Sequence, residues 1–501
     1  MNTTPSLLRI HPSDNVAVAI EDIAPGTPVR VDGVAVTAAE AIPRGHKIAL
    51  RELAVGETVI KYGFPIGRTT EAIAPGRHVH THNVRTGLDG LLEYTYAPEP
   101  TVSSWRPTAS GGDTFLGYER SDGQVGVRNE IWIIPTVGCV NKVSERLAAD
   151  ATRRWADDRI GGVYTFPHPY GCSQLGDDMA YTQKLLAGLV RHPNAAAVLI
   201  VGLGCENNNL KVFREFLGEL DPQRVRFFGA QEVEDEYETG MALLEELVAY
   251  ARQFERRPIP VSQLRVGLKC GGSDAFSGIT ANPLLGGFSD RLVAAGGTTL
   301  LTEVPEMFGA ETILMNRCVD RATFDKCVAL INDFKSYYIR HNQPIYENPA
   351  PGNKAGGITT LEEKSLGCTQ KGGTAPVVDV LTYGEPVRRA GLNLVQAPGN
   401  DMVSVSALTA AGAHIVLFTT GRGTPLGGPA PTVKVSTTSE LAARKRTWID
   451  FDAGVLLTGT PLPELVDRFY AYVLEVASGR RTRNEENGFR EIAIFKDGVT
   501  L

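Results

Sequence analysis

From about residue 114 onward, near-continuous apolar runs alternate with amphipathic helical segments. That rhythm constrains the fold more than any other feature of the chain. "EIWIIPTV" leads into "NKVSERLAADATRRWADD", "GGVYTFPHPYG" into "DDMAYTQKLLAGLVRH", and "AAAVLIVGLG" into "NLKVFREFLGEL"; "RVRFFGA" then precedes "EVEDEYETGMALLEELVAYARQF". Strands that are apolar on both faces need cover on both faces, which a parallel sheet flanked by helices provides. "RRPIPVSQL" (256–264) reads as a boundary, after which strand-like "LRVGLKC", "TTLLTEV", "VVDVL", "LNLVQA", "HIVLFTT" and "TVKVSTT" indicate a second α/β region. Residues 1–96 differ: short alternating segments such as "NVAVAI", "TPVRV" and "ETVIKYG", cut by turns, predict a small β-rich domain. The Pro-, Ser- and Gly-rich stretch 97–113 reads as a linker. The expected organisation is an α/β multidomain chain: 1–96 β-rich, 97–113 linker, 114–257 α/β, and 258–501 a C-terminal α/β domain with a mainly parallel sheet.

Cys139, Cys172 and Cys205 follow three of these apolar runs, each preceded by glycine and each 33 residues from the next. That interval is one βα unit. Successive parallel strands launch their helices from one sheet edge, so all three thiols are expected at carboxyl ends, where open α/β sheets bind ligands. Cys270 ends a fourth such strand. A buried cysteine is ordinarily a small apolar residue. Several at equivalent strand ends suit iron, zinc or an iron–sulfur cluster through thiolate ligation.

Other candidates lie in polar loops. In "HVHTHN", His78, His80 and His82 would share one face of a strand and offer imidazoles to a divalent metal. "CGGSDAFSGITANP" offers Ser273, Asp274, Ser277 and Asn282, "PAPGNKAGG" offers Asn353 and Lys354, and "TTGRGTP" offers Arg422, suited to a bidentate carboxylate clamp. Each alone is ordinary turn chemistry. Together they describe a polyhydroxylated anion. The segment 346–373 is long, polar and glycine-rich, and reads as a functional loop.

The 501 residues are too many for one core, and 43% apolar with 21% charged residues is a globular balance. A formal charge of −7 gives no support for a nucleic-acid partner. No apolar run reaches membrane-spanning length, and the first residues lack a basic start and apolar core. Seven cysteines without a CxxC pair fit a reduced, cytoplasmic protein. The glycine patterns match neither GxGxxG nor GxxxxGK[ST], which argues against a nucleotide site.

The motifs "RGHKIAL", "KYGFPIG", "HVHTHN", "VGCVN", "YGCSQLGDD", "GLGCENN", "CGGSDAFSGITANP", "LLTEVPEMFGAE", "PIYENPAPGNKAGGITTLEEKSLGCTQK" and "FTTGRGTP" resemble the altronate/galactarate dehydratase family along nearly the whole chain. The first region resembles a SAF-type β domain. The resemblance implies a hydro-lyase that removes water from a sugar acid, D-altronate giving 2-dehydro-3-deoxy-D-gluconate. Galactarate dehydratase and the related sulfolactate lyase are the neighbouring alternatives. It implies Fe2+, with Mn2+ or another divalent ion or an iron–sulfur cluster as alternatives, and a homodimer. The galactarate branch shares "GHK", "YGC" and "GLGCE" but departs at "HVHTHN" and carries serine at the position of Cys368. On this basis the expected catalytic set is His46, Lys47, Glu206 and Asp274. Ser273, Asn282, Asn353, Lys354 and Arg422 are expected to bind the substrate. Cys139, Cys172, Cys205 and Cys270 are expected to hold the metal. His46 would be the acid/base group, brought in from the β domain.

Overall fold

The computed structural model describes residues 6–100, 102 and 112–498. Most of the expected linker, 101 and 103–111, lies outside the described residues.

The N-terminal region is β-rich, as expected. Leu7–Leu8, Val16–Ala19, Lys47–Ala49 and His78–Val79 form an antiparallel sheet, beside a three-stranded sheet and a hairpin. Its apolar side chains form two small clusters. One of them, with Val16, Leu53, Val59, Ile66 and Val79, includes Ala310 and Leu366 of the C-terminal domain. The β domain therefore completes its core on another domain. A buried ion triad crosses the same seam, Lys47 and Lys61 both bonding Glu363 at 2.7–3.0 Å. Removing one partner of such a buried pair costs about 3–5 kcal/mol, since the remaining charge is stranded away from water.

The strands of the two parallel sheets are numbered β1–β11 in chain order. In the second domain β1 (Glu130–Pro135), β2 (Val163–Thr165), β3 (Ala195–Gly202) and β4 (Val225–Gly229) pair in the order β2-β1-β3-β4, all parallel. Helices Asn141–Trp155 and Glu236–Ala251 bury apolar residues, Leu147 and Leu247 among them, against Ile131, Ile133 and Leu199 on one face. Trp132, Ile134 and Ile200 face the other way and meet Val403, Ala407 and Ile494 of the C-terminal domain. This explains why β1 and β3 read as apolar without alternation.

The boundary segment at 256–264 carries a strand of its own. Arg256–Pro260 pairs antiparallel with Thr114–Glu119 and so ties the start of the second domain to its end.

The C-terminal domain holds a seven-stranded parallel sheet. Its strands are β5 (Arg265–Cys270), β6 (Thr298–Leu301), β7 (Val377–Leu381), β8 (Gly391–Val395), β9 (Ile415–Thr420), β10 (Thr432–Ser436) and β11 (Phe451–Asp452), in the order β7-β8-β6-β5-β9-β10-β11. The first six were legible in the sequence; the two-residue β11 was not. Connections leave β5 towards β6 on one side, and β9 pairs on its other side. The order therefore reverses at β5/β9, which opens a crevice at their carboxyl ends.

Segment 346–373 departs from its expected character as a loop. It contains helices Pro351–Ala355 and Leu361–Thr369, and every residue of the second is buried. Thr360 caps that helix by accepting from the Glu363 N–H. Its polar residues look like loop chemistry in sequence because their charge partners lie far away in the chain.

Candidate functional site

The carboxyl edge of the seven-stranded sheet gathers groups from five segments. β5 ends at Cys270, the turn after β6 supplies Glu303 and Glu306, and helix Leu361–Thr369 supplies Lys364 and Cys368. Asn400 and Asp401 follow β8, and Arg422 follows β9. Cys270 Sγ lies 3.3 Å from Cys368 Sγ and 3.2 Å from Ser273 Oγ. Cys368 Sγ is 3.1 Å from Glu306 Oε2. The Cys368 hydrogen bond, helped by Lys371 and Lys269 against the effect of burial, brings the Cys270 thiol down to about 5. The same contact with Cys270, together with burial, pushes the Cys368 thiol up.

Glu306 pairs with Lys364 at 2.8 Å. Burial would raise its carboxyl, but attraction from Lys364, Lys269 and Lys371 prevails and holds it at about 2. Lys269, inside the apolar strand β5, is anchored by Glu303 and by Asp401 at 2.9 Å. Lys371 bonds Glu303 at 3.0 Å. Buried charges at this density persist because each is paired.

A cavity of about 790 Å³ opens above these groups. Its wall includes Cys270, Glu306, Lys364, Asp401, Arg422, Asn348, Asn353 and Lys354. Gly271 is required here, since a Cβ at that position would meet the Asp401 carboxylate at 2.5 Å. Cys270, Glu306 and Cys368 each place one donor atom within 4.8 Å of the others. Two sulfurs and a carboxylate oxygen form a donor set that suits ferrous iron.

The β domain docks close behind this cavity. His46 reaches Ala355 O with Nε2 at 3.4 Å and His78 Nε2 with Nδ1 at 3.0 Å. Its ring also lies 4.7 Å from that of His80. The expected strand through "HVHTHN" ends at Val79. Asn83 and Val84 both donate to His80 O, forming a turn, so turn geometry rather than strand alternation gathers these rings. Burial lowers His46. Burial and neighbouring imidazoles take His78 to about 4, and burial with Lys47 takes His80 to about 3. His78 and His80 are therefore neutral at pH 7.

Of the residues singled out in sequence, Asn353, Lys354, Arg422 and Cys270 line the cavity. Others support its walls. Asp274 lies half-buried beneath the Arg422 loop, bonded to Thr437 and Ser277, and desolvation raises its carboxyl. Asn282 holds Gly367 O and Thr419 Oγ1, and Ser273 O accepts from Asn353. His46 and Lys47 sit behind the 354–357 segment, where Lys47 is saturated by Gly357 O and Glu363. A reactive role for Lys47 therefore has no geometric opening.

The expected four-cysteine set divides between the two sheets. Cys139, Cys172 and Cys205 do sit at the ends of adjacent strands β1, β2 and β3, and Cys139 and Cys205 each stand four residues beyond the paired Pro135 and Val201. Their loops interlock through Gly138 N to Tyr170 O and Asn208 N to Gly171 O. All three thiols are exposed, whereas Cys270 is buried on the other sheet. Glu206 is engaged by Thr136 Oγ1 and the N–H groups of Leu203 and Gly204, which locks the turn bearing Cys205.

Sequence reasoning missed Glu306, Lys364 and Asp401, and did not join Cys368 to Cys270. One signal was present: charged residues within apolar surroundings, Lys269 in "VGLKC" and Glu303 and Glu306 in "LLTEVPEMF".

Three family descriptions match the chain. They are the SAF domain of altronate/galactarate dehydratase over residues 5–87, the second domain of D-galactarate dehydratase/altronate hydrolase over 117–252, and the C-terminal D-galactarate/altronate dehydratase domain over 261–500. The chain is 56% identical to altronate dehydratase of Escherichia coli (strain K12), across 99% of both chains. It is 53% identical to altronate dehydratase of Bacillus subtilis (strain 168), across 99% of this chain and 100% of that one. Identity to galactarate dehydratase (L-threo-forming) of Escherichia coli (strain K12) is 33%, across 97% and 96%.

Proposed function

The chain belongs to the D-galactarate/altronate dehydratase family, and from that premise we infer that it is a hydro-lyase converting D-altronate to 2-dehydro-3-deoxy-D-gluconate. One observation carries the reading to a place in the molecule. A single cavity at the sheet's switch point combines cations for a carboxylate with a thiolate and carboxylates for metal and proton work.

Abstraction of a proton α to a carboxylate demands that the developing enediolate be stabilised by fixed positive charge. Arg422 and Lys354 hold the substrate carboxylate, and Asn353 and Asn348 select its hydroxyls. Asp401, paired with Lys269 yet lining the cavity, takes the α-proton; its partner lysine fixes the carboxylate in place. Cys270, Cys368 and Glu306 would hold ferrous iron, which supplies Lewis acidity at the substrate oxygens when bound. Lys364 orients Glu306.

The test is a panel of hexonates and hexarates assayed for the 2-keto-3-deoxy product with ferrous iron. Turnover of D-altronate well above galactarate is expected. Equal or better turnover of galactarate overturns the substrate assignment, and no turnover of any sugar acid overturns the reading.

A further inference from the structure

The opposite, amino edge of the seven-stranded sheet holds a second cavity, of about 300 Å³. Arg265 at the start of β5, Thr298 at the start of β6, Arg388 and Arg389 before β8, and His414 before β9 line it. The second-domain turn at Asp122 closes one side.

This cavity is rich in donors that meet no acceptor. His414 is 1% exposed. Its Nδ1 accepts the Arg265 backbone N–H at 3.3 Å, so the ring proton resides on Nε2. Nε2 is buried and has no hydrogen-bond partner. Native proteins rarely leave such a donor unmatched, and the exceptions call for a ligand or ordered water. Burial depresses the Arg265 guanidinium, with only the more distant Asp122 charge opposing. Among the described residues no hydrogen bond or ion pair holds the guanidinium of Arg265, Arg388 or Arg389. Asp122 directs its carboxylate to Gln124 instead, through the backbone N–H at 3.0 Å and Nε2 at 2.8 Å. Three guanidinia and an imidazole N–H surround one concave space, where Asp122 is the one carboxylate in the lining and Asp320 acts on Arg389 from outside it, so cations and donors exceed the acceptors that face them.

We propose that this cavity binds a small, multiply charged oxyanion, and that the bound anion clamps the second-domain turn onto the C-terminal sheet. Guanidinium forks match the paired oxygens of phosphate and carboxylate alike. The volume suits a ligand at the small end of the usual range. The site is separate from the catalytic cavity: β5 starts at one and ends at the other, roughly 17 Å apart at the rise of a parallel strand. It also carries no thiol, and its one lining carboxylate, Asp122, accepts from Gln124, so the cavity lacks the thiol–carboxylate donor set of the catalytic one.

Calorimetric titration of the full-length, iron-loaded protein with inorganic phosphate, and separately with succinate, tests this. Saturable binding of at least one is expected, and the tighter arm identifies phosphate or carboxylate chemistry. Arg388→Gln/Arg389→Gln and, separately, Arg265→Gln should each weaken that binding roughly tenfold or more, with D-altronate turnover in anion-free buffer unchanged. Wild-type protein should also melt at a higher temperature with the anion, by mass action on the folded state. Should Arg265→Gln fail to fold, the exposed Arg388/Arg389 pair decides the matter alone. Absence of saturable binding of both anions overturns the proposal, as does undiminished binding in the Arg388→Gln/Arg389→Gln variant.

Discussion

Two parallel sheets in this chain bring cysteines to their carboxyl edges. The second-domain edge displays Cys139, Cys172 and Cys205 to solvent on interlocked loops, with Glu206 consumed in holding a turn. The C-terminal edge buries Cys270 against Cys368 and surrounds the pair with Lys269, Lys364, Lys371, Glu303 and Glu306. Strand ends thus place thiols at both edges, and their surroundings set the two edges apart. Activation at Cys270 comes from a hydrogen-bonded neighbour and from ammonium groups held in a low-dielectric setting, where charge acts most strongly.

The sharpest way to break this contrast is at the C-terminal edge. Asp401→Asn should lower kcat about 10²- to 10⁴-fold, the usual effect of losing a positioned base. KM should move little, because Arg422 and Lys354 remain. Steady-state kinetics on D-altronate checks this, and near-normal kcat would free Asp401 from the role.

Next comes a paired comparison of thiols. Cys270→Ser should lose most of its iron together with activity, while Cys205→Ser keeps the iron content of wild type, measured per chain after anaerobic purification. Serine oxygen is the poorer ligand for ferrous iron. The reverse pattern would move the metal to the second-domain edge.

A third difference concerns pH. Burial raises the Glu363 carboxyl, but Lys47 and Lys61 outweigh it and hold it at about 2. The folded value is below the unfolded one, so this stabilisation is complete above about 4.3 and is lost as pH falls through about 2. It amounts to roughly 3 kcal/mol. Thermal melts across that acid window should show the loss, whereas the Glu363→Gln variant, already destabilised, should show a flatter profile.

Accessibility separates the edges more gently. Brief alkylation of the native protein, read by peptide mass spectrometry, should modify Cys139, Cys172 and Cys205 and spare Cys270 and Cys368. The smallest effect is expected at His46, which lies behind the cavity wall. His46→Asn should reduce kcat by less than about tenfold, since it positions the 354–357 segment without lining the cavity; a fall in the general acid–base range would return it to the chemistry.

Much of the architecture was readable because it is written in local pattern. Apolar runs such as Ala195–Gly202 and Ile415–Thr420 are strands whichever partners they find, and the 33-residue interval between Cys139, Cys172 and Cys205 does reflect one strand-and-helix unit. Arg422, Asn353 and Lys354 stood out because they are polar groups among glycines, Arg422 after a strand and the other two within segment 346–373. Tertiary structure decided everything that depends on charge pairing across distance. Glu306 finds Lys364, Cys270 finds Cys368 and Lys47 finds Glu363 across intervals that leave no period in the sequence. A buried charge looks the same as a solvated one until its counter-ion is known. Segment 346–373 therefore read as a loop, and the four cysteines read as one site until the fold assigned them to two sheets.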